Sequence, residues 1–104
     1  MELRVLRYFL ALAREESIAR AAEALHVTQP TLSRQLMDLE TELDCKLFIR
    51  GSRRITLTNE GMILRKRAEE IITLVDITQA EFHNTKEDIS GKIYIGGAKS
   101  MACG

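Results

Sequence analysis

The residue types best suited to chemistry are concentrated in one short stretch, residues 28–34. In the major groove of duplex DNA, glutamine can pair bidentately with adenine and arginine with guanine, while apolar groups suit the methyl of thymine. At the start of a helix, backbone N–H groups would also point at a phosphate. The candidate base-reading residues are Gln29, Pro30, Thr31, Ser33 and Arg34, with Thr28 before them as the predicted N-cap.

A second candidate cluster consists of three arginines in a turn further along the chain, Arg50, Arg53 and Arg54. Guanidinium groups hold phosphates and enter narrow minor grooves. The chain has no net charge, but residues 46–67 hold seven basic residues and one acidic residue, a local charge of +6. Phosphate binding depends on such a local field rather than on the total charge. Either cluster alone also fits an ordinary solvated surface, and the two in this order favour DNA binding.

The apolar pattern predicts the helices that position the first cluster. Residues 2–14 have one apolar face at helical spacing, and Ser17 caps a short second helix over residues 18–25. His26 suits the tight turn that follows, because histidine tolerates a left-handed backbone better than most residues. In residues 29–43 the leucines recur every three or four positions, which predicts a third helix with one buried face. Two helices joined by a tight turn predict a helix-turn-helix, with residues 29–43 as the recognition helix in the major groove.

A β-hairpin and one long helix are predicted after the recognition helix. Short apolar runs at residues 46–49 and 55–57 flank the arginine turn, and Thr58 caps a helix over residues 59–89. A helix of about 30 residues would be about 45 Å long, too long to be buried against so small a domain. Apolar residues near a 4-3 spacing on it therefore predict pairing with a helix of another subunit. The predicted dimer interface consists of Leu64, Ala68, Ile71, Val75 and Phe82.

Several classes of function find no support in the sequence. The two histidines, His26 and His83, have no cysteine or carboxylate at metal-ligand spacing, and no nucleophile, base and acid set can be argued. We therefore expect no metal, no cofactor and no enzymatic activity. Cys45 and Cys103 form no CxxC pair, which favours a reduced, cytoplasmic setting. No run of about 18 apolar residues is present, so no membrane span is expected.

The order and spacing of these residues resemble the N-terminal region of LysR-type transcriptional regulators over residues 1–90. The resemblance implies a mainly α fold, a winged helix-turn-helix with a two-stranded β wing, followed by a long dimerisation helix. It implies binding of double-stranded DNA at interrupted palindromes by a homodimer, usually through antiparallel helices, and tetramers in full-length members. The segments that carry it are Phe9 in the first helix, residues 17–22, residues 25–33, Leu39-Glu40 with Leu43, residues 47–50, residues 56–58 and Gly61.

The predicted organisation has three parts. Residues 1–58 form the winged helix-turn-helix, residues 59–89 the linker helix, and residues 90–104 the start of an effector-binding domain, with a strand over residues 92–95. The resemblance places small-molecule effector binding in that C-terminal domain, which is otherwise missing, so either a fragment or a natural truncation is expected. The alternative hypothesis is a protein-interaction module, because a winged helix and a long apolar helix can also dock other proteins.

Overall fold

The computed structural model describes the backbone of residues 1–91 and the side chains of residues 1–84. Within this part, four helices and a two-stranded antiparallel sheet form a winged helix-turn-helix followed by a long helix, which confirms the predicted fold class. The strand predicted at residues 92–95 lies outside the described residues. The elements are α1 (Leu3–Glu15), α2 (Ile18–Leu25), α3 (Gln29–Leu43), β1 (Phe48–Arg50), β2 (Ile55–Leu57) and α4 (Asn59–Gly91).

The hydrophobic core lies among α1, α2 and α3. On α1, Phe9 and Leu12 are completely buried, because residues three or four apart share one helix face. Ala21 on α2 is equally buried, and its small side chain lets the neighbouring helices approach closely. The predicted apolar face of α3 is confirmed by Leu32 and Leu36, both without exposed surface. This packing fixes the direction in which the opposite face of α3 points.

Side-chain caps and left-handed residues set the turns between the helices. Ser17 accepts a hydrogen bond from the backbone N–H of Arg20 at the start of α2, as predicted. His26 follows α2 with a φ of 60°, which confirms the left-handed turn. Glu16 and Asp44 end α1 and α3 in the same conformation, at φ values of 59° and 56°. Asp44 belongs to the residue types enriched in this conformation, as His26 does, whereas the residue type of Glu16 gave no such indication.

The hairpin pairs Phe48 with Leu57 and Arg50 with Ile55. Its first strand begins two residues later than predicted and includes Arg50. Two backbone groups of the preceding residues bond to side chains instead of to the opposite strand: the Leu47 N–H donates to Glu40, and the Lys46 carbonyl accepts from the Thr58 hydroxyl. Residues 46 and 47 therefore attach the hairpin to α3 and α4, although the Leu47 carbonyl still accepts the Thr58 N–H across the hairpin at 3.1 Å.

The first compact unit of the chain is Met1–Ile72, and the second begins at Thr73. The sequence placed the end of the first domain at residue 58. The unit extends further because Leu64 and Ala68, on the first turns of α4, pack into its core with 9% and 0% of their surface exposed. Among the described residues, none of the helices combines the length and apolarity that crossing a membrane requires.

Candidate nucleic-acid interface

The predicted base-reading residues lie together on the first two turns of α3. Gln29, Pro30, Thr31 and Arg34 are exposed, and Ser33 is half-buried. They share this face because the helical period that buries the leucines of α3 turns the intervening positions outward. The structure therefore presents two planar hydrogen-bonding groups and two small apolar surfaces side by side, the set that base edges in a major groove can accept.

Thr28 acts as the cap of α3. Its hydroxyl accepts the backbone N–H of Thr31 at 3.3 Å and donates to the Thr31 hydroxyl at 2.8 Å. Pro30 has no N–H, and the N–H of Thr31 is already bonded. Among the described residues, the N–H groups of Thr28 and Gln29 are thus the backbone donors that the start of α3 still offers to a phosphate. Fewer backbone N–H groups are therefore available to a phosphate at the start of α3 than the sequence suggested.

The three predicted wing arginines have different surroundings. Arg50, at the end of β1, donates from Nη2 to the Ser33 hydroxyl on α3 at 3.4 Å. Arg54 lies 3.6 Å from Glu16, measured from Nη1 to Oε1. Arg53 is exposed and makes no ion pair within the part of the chain described. The hairpin therefore presents one guanidinium against the recognition helix, one held by a carboxylate, and one directed to solvent.

Glu16 also fixes the hairpin through its backbone. Its carbonyl accepts the N–H of Ile55 at 2.9 Å, so the left-handed end of α1 is bonded to the first residue of β2. The turn itself is closed by a hydrogen bond from the Gly51 N–H to the Arg54 carbonyl at 3.0 Å. Together these bonds hold the basic turn in a defined place beside the helices.

Glu40 is a structural residue that the functional reasoning did not single out. It lies on α3 one turn after Leu36, with 8% of its surface exposed. Its Oε2 accepts the backbone N–H of Leu47 at 2.8 Å, and its Oε1 lies 3.5 Å from the Lys46 ammonium group. This carboxylate joins the recognition helix to the base of the wing. Its signal was visible: a charged residue at a core spacing needs a partner inside the fold.

The start of α4 is attached to the same segment. The Thr58 hydroxyl donates to the Lys46 carbonyl at 2.7 Å and accepts the N–H of Gly61 at 3.0 Å. A Cβ atom added at Gly61 would lie 2.0 Å from the carbonyl oxygen of Leu47, far closer than a carbon atom can come to an oxygen without a bond. Only glycine fits at this position, because the backbone of α4 contacts the backbone before β1 directly.

The five residues predicted for a dimer interface fall into two groups. Leu64 and Ala68 are covered within the chain itself, which corrects their assignment: a helical stripe does not reveal which neighbour covers it. Ile71 is 37% exposed, Val75 is half-buried and Phe82 is 67% exposed. Further exposed apolar side chains on α4, which the sequence did not assign, are Met62, Ile63, Leu74 and Ile77.

No group of three His, Cys, Asp or Glu side chains suited to a metal ion occurs among the described residues. The structure instead brings together the polar face of α3 and the basic hairpin, which are connected by the Arg50–Ser33 hydrogen bond and by the Glu40–Leu47 hydrogen bond. Residues 3–62, which include both, match the bacterial regulatory helix-turn-helix proteins of the lysR family. This chain belongs to the LysR family.

Relatives and solved structures agree with that assignment. The LysR-family chain is 43% identical over 97 residues to the HTH-type transcriptional regulator BsdA of Bacillus subtilis strain 168, covering 92% of this chain and 33% of BsdA. It is 39% identical over 102 residues to the nitrogen assimilation regulatory protein nac of Escherichia coli K12, covering 98% and 33%. The complex of the BenM DNA-binding domain with catB site 1 DNA matches with a TM-score of 0.80 and 41% identity, over 83% of this chain and 97% of that chain.

The LysR-family chain spans about a third of the length of these two curated relatives. It carries the DNA-binding domain of a LysR-type transcriptional regulator, in which the predicted recognition face lies on α3. The relatives named here are transcription regulators rather than enzymes.

Proposed function

We propose that this chain binds specific double-stranded DNA as a homodimer, on an interrupted palindrome, to regulate transcription in a bacterial cytoplasm. The observation that carries the proposal is the face of α3 on which Gln29, Pro30 and Arg34 are exposed, on a helix that the Arg50–Ser33 hydrogen bond joins to the arginine hairpin. The recognition helix enters the major groove, and the wing, residues 50–54, contacts phosphates and the minor groove. The structure of the related BenM DNA-binding domain in complex with catB site 1 DNA supports DNA as the partner.

Exposure and pairing assign different tasks to the arginines. Arg34 is an exposed guanidinium on the base-facing side of α3, so it reads a base, with guanine as its preferred partner. Arg53 has no carboxylate beside it within the described residues and contributes charge to the phosphates. Arg54 lies 3.6 Å from Glu16, but both side chains are largely exposed, so this pair stabilises the wing little and leaves Arg54 able to contact a phosphate as well.

The dimer is proposed to form through α4. The exposed residues Ile71 and Phe82, with half-buried Val75, are the part of the predicted stripe that remains available to a second copy. The helix is basic at residues 65–67 and carries acidic residues at Asp76 and Glu81. Antiparallel pairing brings these opposite charges together, whereas parallel pairing places like charges side by side. In a full-length protein we extend this to a tetramer whose C-terminal domain binds a small effector.

The second candidate function is a protein-docking module. The exposed apolar side chains Leu74, Ile77 and Phe82 on α4 are the observation that favours it. The dependence of binding affinity on salt concentration distinguishes DNA binding from protein docking. Binding through several phosphates weakens steeply with salt, with a slope near 0.9 per phosphate contact, whereas an apolar helix interface is nearly insensitive.

The test of the proposed function is selection of binding sites by the purified chain from randomised duplex DNA, at near-physiological salt. Enrichment of two half-sites in inverted orientation is expected, because a dimer with two-fold symmetry reads a palindrome. Sedimentation of the same preparation gives the oligomeric state. A folded dimer that enriches no sequence and binds duplexes without salt dependence would favour the docking module.

Arg34→Ala is expected to weaken binding to the selected site by about 1–3 kcal/mol and to relax the preference at one base pair. The reason is the loss of a bidentate base contact while the phosphate contacts stay. Arg53→Ala is the matched variant: it removes the same charge from the wing, so selected and shuffled duplexes should weaken alike. Equilibrium titrations with both duplexes measure this. An Arg34→Ala protein with unchanged site preference would remove this residue from base readout.

Ile71→Asp is expected to convert the dimer to monomers, because a carboxylate would be buried between two apolar helices without a partner. Position 71 is partly exposed in the single chain, so the monomer should remain folded. Thr73→Asp, an exposed position on the opposite side of α4, controls for added charge. Analytical ultracentrifugation at several concentrations distinguishes the two. An unchanged dimer mass for Ile71→Asp would exclude this face as the interface.

A further inference from the structure

The contact between Arg50 and Ser33 joins the two parts of the interface. Arg50 is the last residue of β1, immediately before the basic turn, and its side chain lies 3.4 Å from a hydroxyl on the recognition helix. Both residues retain exposed surface. A guanidinium therefore stands at the border between the helix face and the wing.

The geometry of duplex DNA decides what can occupy that border. Adjacent major and minor grooves are separated by a single sugar–phosphate strand. If α3 lies in a major groove and the turn at residues 51–54 reaches the neighbouring minor groove, that strand must cross the protein surface between them. The border surface is where Arg50 and Ser33 meet. Its occupant is thus a phosphate of the bound duplex rather than a base.

We propose that Arg50 and Ser33 form a clamp for one phosphate of the strand that divides the two grooves. The proposal rests on the proposed function and refines it, because it moves Ser33 from base readout to backbone binding. A hydroxyl that accepts from Arg50 keeps its own hydrogen for a phosphate oxygen. Arg50 has five N–H donors, so the bond to Ser33 leaves the others for the same phosphate.

Ser33 differs from its neighbours in ways that support this role. It is half-buried, whereas Gln29 and Arg34 are exposed and extend further from the helix. Its short side chain, engaged by Arg50, is poorly placed to reach a base edge in the floor of a groove. Phosphate contacts set the register of a protein on DNA without carrying sequence information themselves. The clamp therefore fixes how deeply α3 sits, while its longer side chains read the bases.

The test combines a salt series with a phosphate scan. Arg50→Ala should lower affinity for selected and shuffled duplexes alike, by about tenfold or more, and reduce the salt slope by about 0.9. Ser33→Ala should lower both affinities by about three- to tenfold without changing the slope or the base preference. The double variant should lose little more than Arg50→Ala alone, because both groups bind one phosphate. Thr41→Ala on α3 and Arg14→Ala on α1 control for loss of a hydroxyl or a charge.

Duplexes with a single neutral methylphosphonate at successive positions locate the contact. The wild-type chain should be sensitive at a position where Arg50→Ala no longer responds. A changed base preference in Ser33→Ala, additive losses in the double variant, or an unchanged slope in Arg50→Ala would each overturn the clamp while wild-type binding stays salt-dependent. Wild-type protein without salt-dependent duplex binding would overturn the proposed function, and the clamp with it. Thermal unfolding by circular dichroism verifies that each variant is folded.

Discussion

Gly61→Ala is expected to lower the free energy of unfolding by about 3 kcal/mol or more, a large part of the stability of a small domain. The added Cβ would lie 2.0 Å from the carbonyl oxygen of Leu47 and 3.3 Å from the Cβ of Leu57. The first obstacle is a backbone atom, so no side-chain rotation relieves the clash. Either α4 must move away from the hairpin base or the segment before β1 must shift.

Helix propensity alone predicts the opposite result, an increase in the free energy of unfolding, so the measurement distinguishes the two effects. Alanine stabilises a helix interior relative to glycine by about 1 kcal/mol, so without the clash the variant would be more stable. Met62→Ala, at the next and exposed position of α4, is the matched control and should change stability little. Urea unfolding followed by circular dichroism measures both. A Gly61→Ala protein as stable as the wild type would mean that the helix start is not held against residue 47.

The second large effect is expected for Glu40→Ala, with a loss of about 2–3 kcal/mol. The substitution leaves the Leu47 N–H, inside the fold, without the carboxylate that accepts it at 2.8 Å. Glu40→Gln retains an acceptor oxygen and most of the packing, so it should lose clearly less than the alanine variant. The comparison separates the hydrogen bond from the charge, whose ion-pair partner Lys46 is exposed.

Hydrogen exchange at a single amide provides the decisive measurement for Glu40. In Glu40→Ala, the amide of Leu47 should lose protection by more than the change in global stability accounts for, because the base of the wing opens locally. Asp38→Ala, an exposed carboxylate on the same helix, should leave that amide unaffected. Equal stability losses in Glu40→Ala and Glu40→Gln would assign the effect to charge instead of the hydrogen bond.

Local rules account for what the sequence predicted well. The leucines of α3 recur at helical spacing, and Leu32, Leu36 and Leu39 are buried for that reason. Ser17 and Thr28 cap their helices because a short hydroxyl before an apolar run satisfies the first free N–H groups. Because the buried face of α3 was predicted correctly, the exposed positions of its candidate base-reading residues were predicted as well.

Contacts between distant parts of the chain were out of reach of those rules. The pairing of Arg54 with Glu16 joins residues far apart in sequence, and either one alone fits a solvated surface. Leu64 and Ala68 belong to an apolar stripe whose period is the same whether a core or a second subunit covers it. The spacing of Glu40 indicated a partner inside the fold, but not that this partner would be the backbone N–H of Leu47.

The bonds around Thr58 have a mechanical consequence. One hydroxyl links the carbonyl before β1 to the first turn of α4, and the backbone N–H of the same residue donates to the Leu47 carbonyl at 3.1 Å. The backbone of Gly61 also lies directly against that carbonyl, so three contacts join the hairpin base to the first turn of the helix. Through these contacts the first turn of α4 is connected directly to the base of the wing. A rotation of the first turns of α4 would therefore move the hairpin at residues 50–54 with them, which would change the orientation of the proposed DNA contacts.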